Sequence, residues 1–395
     1  MTRNSLRIGR VLDVELRLDY SWFIIFVLVI WMLARGHFPM MHPGWDAVTY
    51  WVVGGATSVL FFASVVAHEL AHSTVSRAVG VPVREITLFI FGGAARLSRE
   101  PQRPRDEFLI AAAGPAMSLV LGAGFWALGR LGADGGPFHA AAGWLALTNV
   151  VLAAFNLIPG FPLDGGRVLR AILWGVTGSF QRATRIAALV GRIVAFAFMF
   201  WGVLQIFAGN VVGGLWIAFI GWFLDSAAAR SLEHAALQDL LAGYMVRDVM
   251  ITDCPHVLPD MTLDAVVDQK VLPSGRRCFP VVDPATEGGA LRGLLTLHGI
   301  KAVPKERHAV TRVHEVMIGR DELKSVGPED PLSTVFERMA NEDVNQLPVI
   351  EDGRLVGMVA RDALLKFVGL RAELQAWRPR PGGPPVGSAT EPRSS

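Results

Sequence analysis

Two histidines four positions apart, His68 and His72, with Glu69 between them, are the residues whose types and spacing could do chemistry. On a helix both imidazoles fall on one face, one turn apart, and can reach one metal ion. Glu69 stands beside that face and can take a proton from a water held by that ion, the arrangement of a zinc hydrolase. Two His leave zinc short of protein ligands. Asp164, in the stretch Asn156-Leu157-Ile158-Pro159-Gly160-Phe161-Pro162-Leu163-Asp164-Gly165-Gly166, is a suitable third. The competing reading is a triplet satisfied by neighbouring helices, a proton relay, or a loop that only looks like a span. An ionisable triplet is costly in an apolar helix, which favours a functional role.

The elements that must position these residues are apolar. The chain has 395 residues, 52% of them hydrophobic, and a positive mean hydropathy, which favours a membrane protein with room for two or more domains. Apolar runs near 20–33, 49–79, 107–131, 140–158, 186–208 and 211–229 are each about the length needed to cross a bilayer. The N-terminal 17 residues, with Arg3, Arg7, Arg10 and Arg17, lack a small-residue cleavage site and lead into a retained first span. All five Lys lie at or beyond Lys270, and the two Cys, Cys254 and Cys278, fit a reducing cytosol.

Charge orients the spans. The connections near 37–48, 132–139 and 209–213 hold no Lys or Arg, whereas the alternate ones carry Arg77, Arg84, Arg96, Arg99, Arg103 and Arg105, then Arg167, Arg170, Arg182 and Arg185. By the positive-inside rule both termini are cytoplasmic in a multi-pass cell-membrane protein. His68, nine residues before Arg77, then lies about 14 Å below the cytoplasmic edge. Asp164 follows the inner end of the fourth span and must fold back toward the histidines.

These motifs resemble the site-2 proteases, intramembrane zinc metalloproteases, and specifically the prokaryotic branch with C-terminal CBS domains. The resemblance covers nearly the whole chain up to about Leu370 and implies an α-helical membrane protein of about six transmembrane helices, a short β-hairpin near the active site, and an α/β CBS-pair domain. It departs from the usual Asn-Pro-x-Pro-x-x-Asp-Gly pattern where Leu157 and Ile158 precede Pro159. By resemblance, one zinc ion binds through His68, His72 and Asp164, Glu69 acts as general base, and the Asn156 amide hydrogen-bonds a substrate carbonyl or developing oxyanion. Asn156 also reads as a helix-end cap. Gly114 and Ser118, in a small-residue face at Ala111–Ser118, resemble the family's third-span pattern and read equally as helix packing.

Val83–Leu97, rich in β-branched and aromatic residues with a Gly pair at its bend, predicts a hairpin. In the family a strand here lies beside the active site, which makes Phe91, Gly92 and Gly93 substrate-binding candidates, with an unwound substrate adding as a further strand. The domains are expected at 1–230 (transmembrane metalloprotease), 231–243 (helical linker), 244–305 and 312–370 (CBS repeats) and 378–395 (disordered tail). Arg247–Met250 matches His314–Met317, and Phe279–Val282 matches Leu347–Ile350. CBS pairs commonly bind adenine nucleotides through a Thr/Ser-x-x-Asp. Thr296-Leu297-His298-Gly299 and Ala360-Arg361-Asp362-Ala363 both lack the acid at its place, so weak or absent nucleotide binding is expected.

The partners implied are the lipid bilayer and a single-span substrate such as an anti-sigma factor or a membrane-bound transcription factor. No nucleic acid is expected, and a homodimer through the CBS pair is left open. A CBS-gated transporter or channel predicts charges spread through several spans. Apart from Arg192, those deep in the apolar segments are read as His68, Glu69 and His72. An inactive scaffold of the same fold is opposed by the full ligand set.

Overall fold

The computed structural model describes residues 5–11, 14–90, 92–97, 100–283, 290–342 and 344–377. Phe91 and the tail 378–395 lie outside them. The chain divides into two units between Ala235 and Ala236.

The first unit opens with strands β1 (Ser5–Val11) and β2 (Val14–Asp19) and continues into helices α1 (Tyr20–Met41, with a π-helical turn over Leu33–His37) and α2 (Ala47–Ala78). Strands β3 (Val83–Phe89) and β4 (Gly92–Leu97) follow, then helices α3 (Pro104–Gly129), α4 (Pro137–Asn156), α5 (Asp164–Thr177), α6 (Phe180–Phe207) and α7 (Val211–Leu241). Among the described residues six helices, all of these but α5, are long and apolar enough to cross a membrane. Their exposed positions are apolar as well, including Ile24, Val27, Val120 and Phe200. A surface of that kind suits lipid, and a helix satisfies its backbone polar groups internally, as hydrocarbon demands.

Two elements add to the sequence reading. Ahead of the first span, β1 and β2 pair antiparallel: Val14, Leu16 and Leu18 alternate into the core while Arg17 faces Glu85 at 3.2 Å. Period-two patterning over so few residues was masked by the charge. The segment after Asn156 is more than a broken loop, because a helix starts at Asp164 itself and stops where Gly178 turns left-handed at φ 66°.

The four strands form one sheet in the order β1-β2-β3-β4, with β2 parallel to β3 from Glu15↔Glu85 to Leu18↔Leu88 and β4 at the edge. Its buried side chains, Ile86 and Leu88 among them, pack on Val65, Phe61 and Leu70 of α2. Helix α3 is central, packed against α2, α4 and α5. Helix α7 runs unbroken from the last apolar run to Leu241, so most of the 231–243 segment is its end.

In the second unit, strands β5 (Cys278–Asp283), β6 (Ala290–Thr296) and β7 (Ile318–Gly319) form one sheet, and β8 (Gln346–Glu351) and β9 (Arg354–Ala360) another. Helices α8 (Leu297–Ala302), α9 (Leu332–Glu342) and α10 (Arg361–Trp377) complete two similar halves. The halves exchange their leading segments. Val246 is buried in the core that holds Leu332, Leu347 and Val359, whereas Val313 is buried with Leu263, Phe279 and Leu295.

Candidate metal centre

Helix α2 carries His68 and His72 one turn apart, both buried, with their rings 4.9 Å apart. The chain's path after α4 delivers the third group: Asp164 is the first residue of α5, where the helix dipole favours a carboxylate. His68 Nε2 and His72 Nε2 lie 3.2 Å apart, and Asp164 Oδ2 is 3.2 and 3.1 Å from them. Ligands at about 2.0–2.1 Å from zinc in a tetrahedron stand about 3.3 Å from one another, so this triangle has the size of such a site.

The other ring nitrogens are held by α3. His72 Nδ1 is 2.6 Å from the Ile110 carbonyl oxygen, which only accepts, so Nδ1 carries the proton and a neutral ring turns its Nε2 lone pair into the triangle. His68 Nδ1 is 2.8 Å from Ser118 Oγ. The sequence pattern placed Ser118 in a packing face, where it also fixes the His68 ring. Ile110 acts through its backbone, which no residue type announces.

Space for the ion is kept by Gly114. A β-carbon there would come within 2.2 Å of His72 Nε2 and 2.5 Å of His68 Nε2. These donors and this gap fit zinc.

The cavity is lined by His68, Glu69, His72, Asn156, Asp164 and Arg167, with Gly93 among the other wall residues. Gly93 is in β4, paired with Leu88, rather than at the hairpin bend. A β-carbon there would lie 2.4 Å from Glu69 Cγ, so the edge strand runs directly against the carboxylate. Gly92 opens β4 opposite Phe89, and Phe91 lies outside the described residues. Asn156, the last residue of α4, lines the cavity while its Nδ2 donates to the Leu152 carbonyl at 3.0 Å.

The structure adds buried charge that the sequence reading left out. Glu107 of α3 is fully buried and accepts from Arg170 Nε at 2.7 Å, and Arg170 is also bonded through Nη2 and packed over Phe161 and Phe180. Arg192 Nε donates to Asp225 at 2.8 Å, a pair between α6 and α7. Glu107, in the first turn of α3, and Asp225, near the end of the last apolar run, are thus each matched to an arginine.

The profile of peptidase family M50 matches residues 56–135 and 132–198, and that of the CBS domain matches 246–305 and 313–369. Rip3 of Mycobacterium tuberculosis, a protein named as a zinc metalloprotease, is 36% identical over 93% of this chain and 93% of its own. A Synechocystis protein with a zinc metalloprotease name, sll0528, is 33% identical over 92% of this chain and 95% of its own. The solved structure of a site-2 protease from Methanocaldococcus jannaschii is 28% identical, covers 58% of this chain and 95% of its own, and has a TM-score of 0.41.

Proposed function

The chain belongs to peptidase family M50 with a CBS pair, and we propose that it is a zinc-dependent intramembrane endoprotease that cleaves the spans of regulatory membrane proteins. One observation carries the reading: Asp164, from a segment 92 residues beyond His72, closes the His68–His72 pair into a triangle of zinc dimensions beside Glu69. The names of the relatives, zinc metalloproteases matched nearly end to end, support it.

His68, His72 and Asp164 hold the ion. Bound there, zinc supplies Lewis acidity that makes a water acidic and a carbonyl electrophilic. Glu69 takes a proton from the attacking water as the new C–O bond forms and hands it to the nitrogen as the peptide C–N bond breaks. Ser118 and the Ile110 carbonyl keep the two rings aimed throughout.

A helical substrate hides its amides in its own hydrogen bonds. Among the described strands β4 is at the sheet's edge, and beside Glu69 it offers an unwound span a strand to join, with Gly92 and Gly93 at the point of approach. Arginine in alternate connections supports cytoplasmic termini, and hence cleavage near the inner face. The CBS pair tunes the rate from that side, since a ligand or partner that prefers one of its arrangements can bias the enzyme. The Thr296 hydroxyl caps α8 by accepting from Gly299 N, and neither repeat has the ribose-binding acid in place, so adenine nucleotides bind weakly if at all.

The test is purified protein assayed for zinc and for cleavage of single-span candidates, anti-sigma factors and membrane-bound transcription factors first. One zinc per chain and cleavage that Glu69→Gln abolishes are expected. Metal-independent cleavage, or cleavage by the Gln variant, overturns the reading.

A further inference from the structure

We propose that Arg167 is a further catalytic residue, whose guanidinium hydrogen-bonds the scissile carbonyl oxygen as it gains negative charge; the proposal rests on the peptidase reading above.

A carbonyl oxygen that gains negative charge is stabilised further by a hydrogen-bond donor aimed at it, beyond what a metal and a general base supply. The polar groups around the cavity are largely committed. His68 and His72 use Nδ1 on Ser118 and Ile110, Ser73 donates its hydroxyl to the Glu69 carbonyl at 3.1 Å, and Asn156 has given one amide hydrogen to Leu152. Arg167 remains. It is the one Lys or Arg among the described lining residues, and it sits one turn after Asp164, on the same face of α5.

Its surroundings keep those donors available. Of the acids around it, Glu107, Asp164 and Glu100, Glu107 comes within ion-pair distance: its Oε1 is 3.8 Å from Arg167 Nε, beyond hydrogen-bond reach, while the same oxygen is taken by Arg170 at 2.7 Å. Two arginines thus share one buried carboxylate, and Arg170 holds the shorter bond. Arg167 is drawn to the wall by the field of Glu107, without giving up its N–H groups. No described hydrogen bond uses them. A planar guanidinium with five N–H groups is suited to an oxygen that changes from carbonyl to oxyanion.

The role differs from that of a support for Asp164, and the experiment separates the two. Full-length parent, Arg167→Met and Arg167→Lys are compared for zinc content, for kcat and KM on a single-span model substrate with a fluorescent reporter, and for binding of a phosphinic peptide, whose tetrahedral anion mimics the transition state. The expected result is unchanged zinc, KM within threefold, kcat lowered about 100-fold in Arg167→Met, a smaller loss in Arg167→Lys, and phosphinic-peptide affinity falling in parallel with kcat. Zinc lost from Arg167→Met would make Arg167 a support for Asp164 only and overturn the proposal, as would kcat or phosphinic-peptide affinity within threefold of parent. If the parent cleaves nothing, the peptidase reading fails. The binding comparison still decides the place of Arg167, with equal affinity or no binding to the parent counting against it.

Discussion

Gly114 stands against His72 so closely that a β-carbon at position 114 would come within 2.2 Å of the imidazole Nε2. The same atom would lie 2.5 Å from His68 Nε2, so the added methyl would occupy the place where the two lone pairs converge. Both rings are fixed from behind by α3, and neither can swing aside without breaking its bond to Ser118 or Ile110. Gly114→Ala is therefore expected to abolish zinc binding with His68, His72 and Asp164 all intact, measured as metal content of the purified variant. Full zinc occupancy in that variant would mean that the gap is not the metal position.

Removing a ligand and removing the base should separate cleanly. His68→Ala should release zinc and Asp164→Ala should weaken it, because each takes one corner from the triangle. Glu69→Gln should keep one zinc per chain and lose activity by about 100-fold or more, since the amide cannot accept the water's proton. Metal analysis and turnover on the same preparations give the answer; zinc loss in Glu69→Gln would assign Glu69 to the ligand set instead.

Glu107 joins α3, which orients both histidines, to α5, which begins with Asp164. Glu107→Leu would leave the Arg170 guanidinium buried between Phe161 and Phe180 without its carboxylate, at a cost of about 3–5 kcal/mol. An apparent melting temperature about 10 °C lower in detergent is expected, with part of the loss regained in a Glu107→Leu, Arg170→Leu double variant. A single variant as stable as the parent would show that the pair contributes nothing net.

The three residues of the triangle were legible in the sequence because their chemistry is tied to spacing: His68 and His72 at one helical turn, and an Asp-Gly-Gly after a broken segment. The six spans were legible from length and apolarity alone. What surrounds the triangle was not. Ile110 contributes a carbonyl that every residue has, Gly114 contributes an absence of atoms, and Glu107 meets Arg170 across 63 residues of chain. The N-terminal strands were hidden for another reason: the charge of Arg7, Arg10 and Arg17 dominates a stretch whose strand signal is only the alternation of Val14, Leu16 and Leu18. The CBS repeats were visible as a repeat, but the exchange of leading segments follows from tertiary packing that a repeat pattern does not encode.

The two cysteines should differ in reactivity despite their common neighbourhood. Burial pushes the Cys278 thiol up to about 12, and burial also raises that of Cys254, which is less enclosed. The thiolate is the nucleophile, so at pH 8 Cys278 stays almost entirely in the unreactive thiol form. Iodoacetamide should modify Cys254 first, and Cys278 only after denaturation, read by mass spectrometry of the two peptides. Equal labelling in the folded protein would show that Cys278 is open to solvent.

The exchange of leading segments makes a final prediction about which half of the CBS pair answers to which residue. Val246 precedes the first repeat's sheet but is fully buried with Leu332, Met339 and Leu347 of the second, and Leu332 N donates to the Tyr244 carbonyl at 2.9 Å. The mirror relation holds at Val313, buried in the first half's core, with Leu263 N donating to the Thr311 carbonyl at 3.1 Å. Each leading segment is fixed by the same device: Met245 N donates to Asp248 and Arg312 N donates to Glu315, both at 2.8 Å. A charge at position 246 therefore enters the second core, where an unpaired carboxylate is costly to desolvate. In full-length Val246→Asp, hydrogen–deuterium exchange should rise over Leu332–Glu342 and Gln346–Glu351 while Cys278–Asp283 stays protected. Val313→Asp should give the opposite pattern. Faster exchange confined to the half in which the substituted residue lies in sequence would refute the exchanged packing.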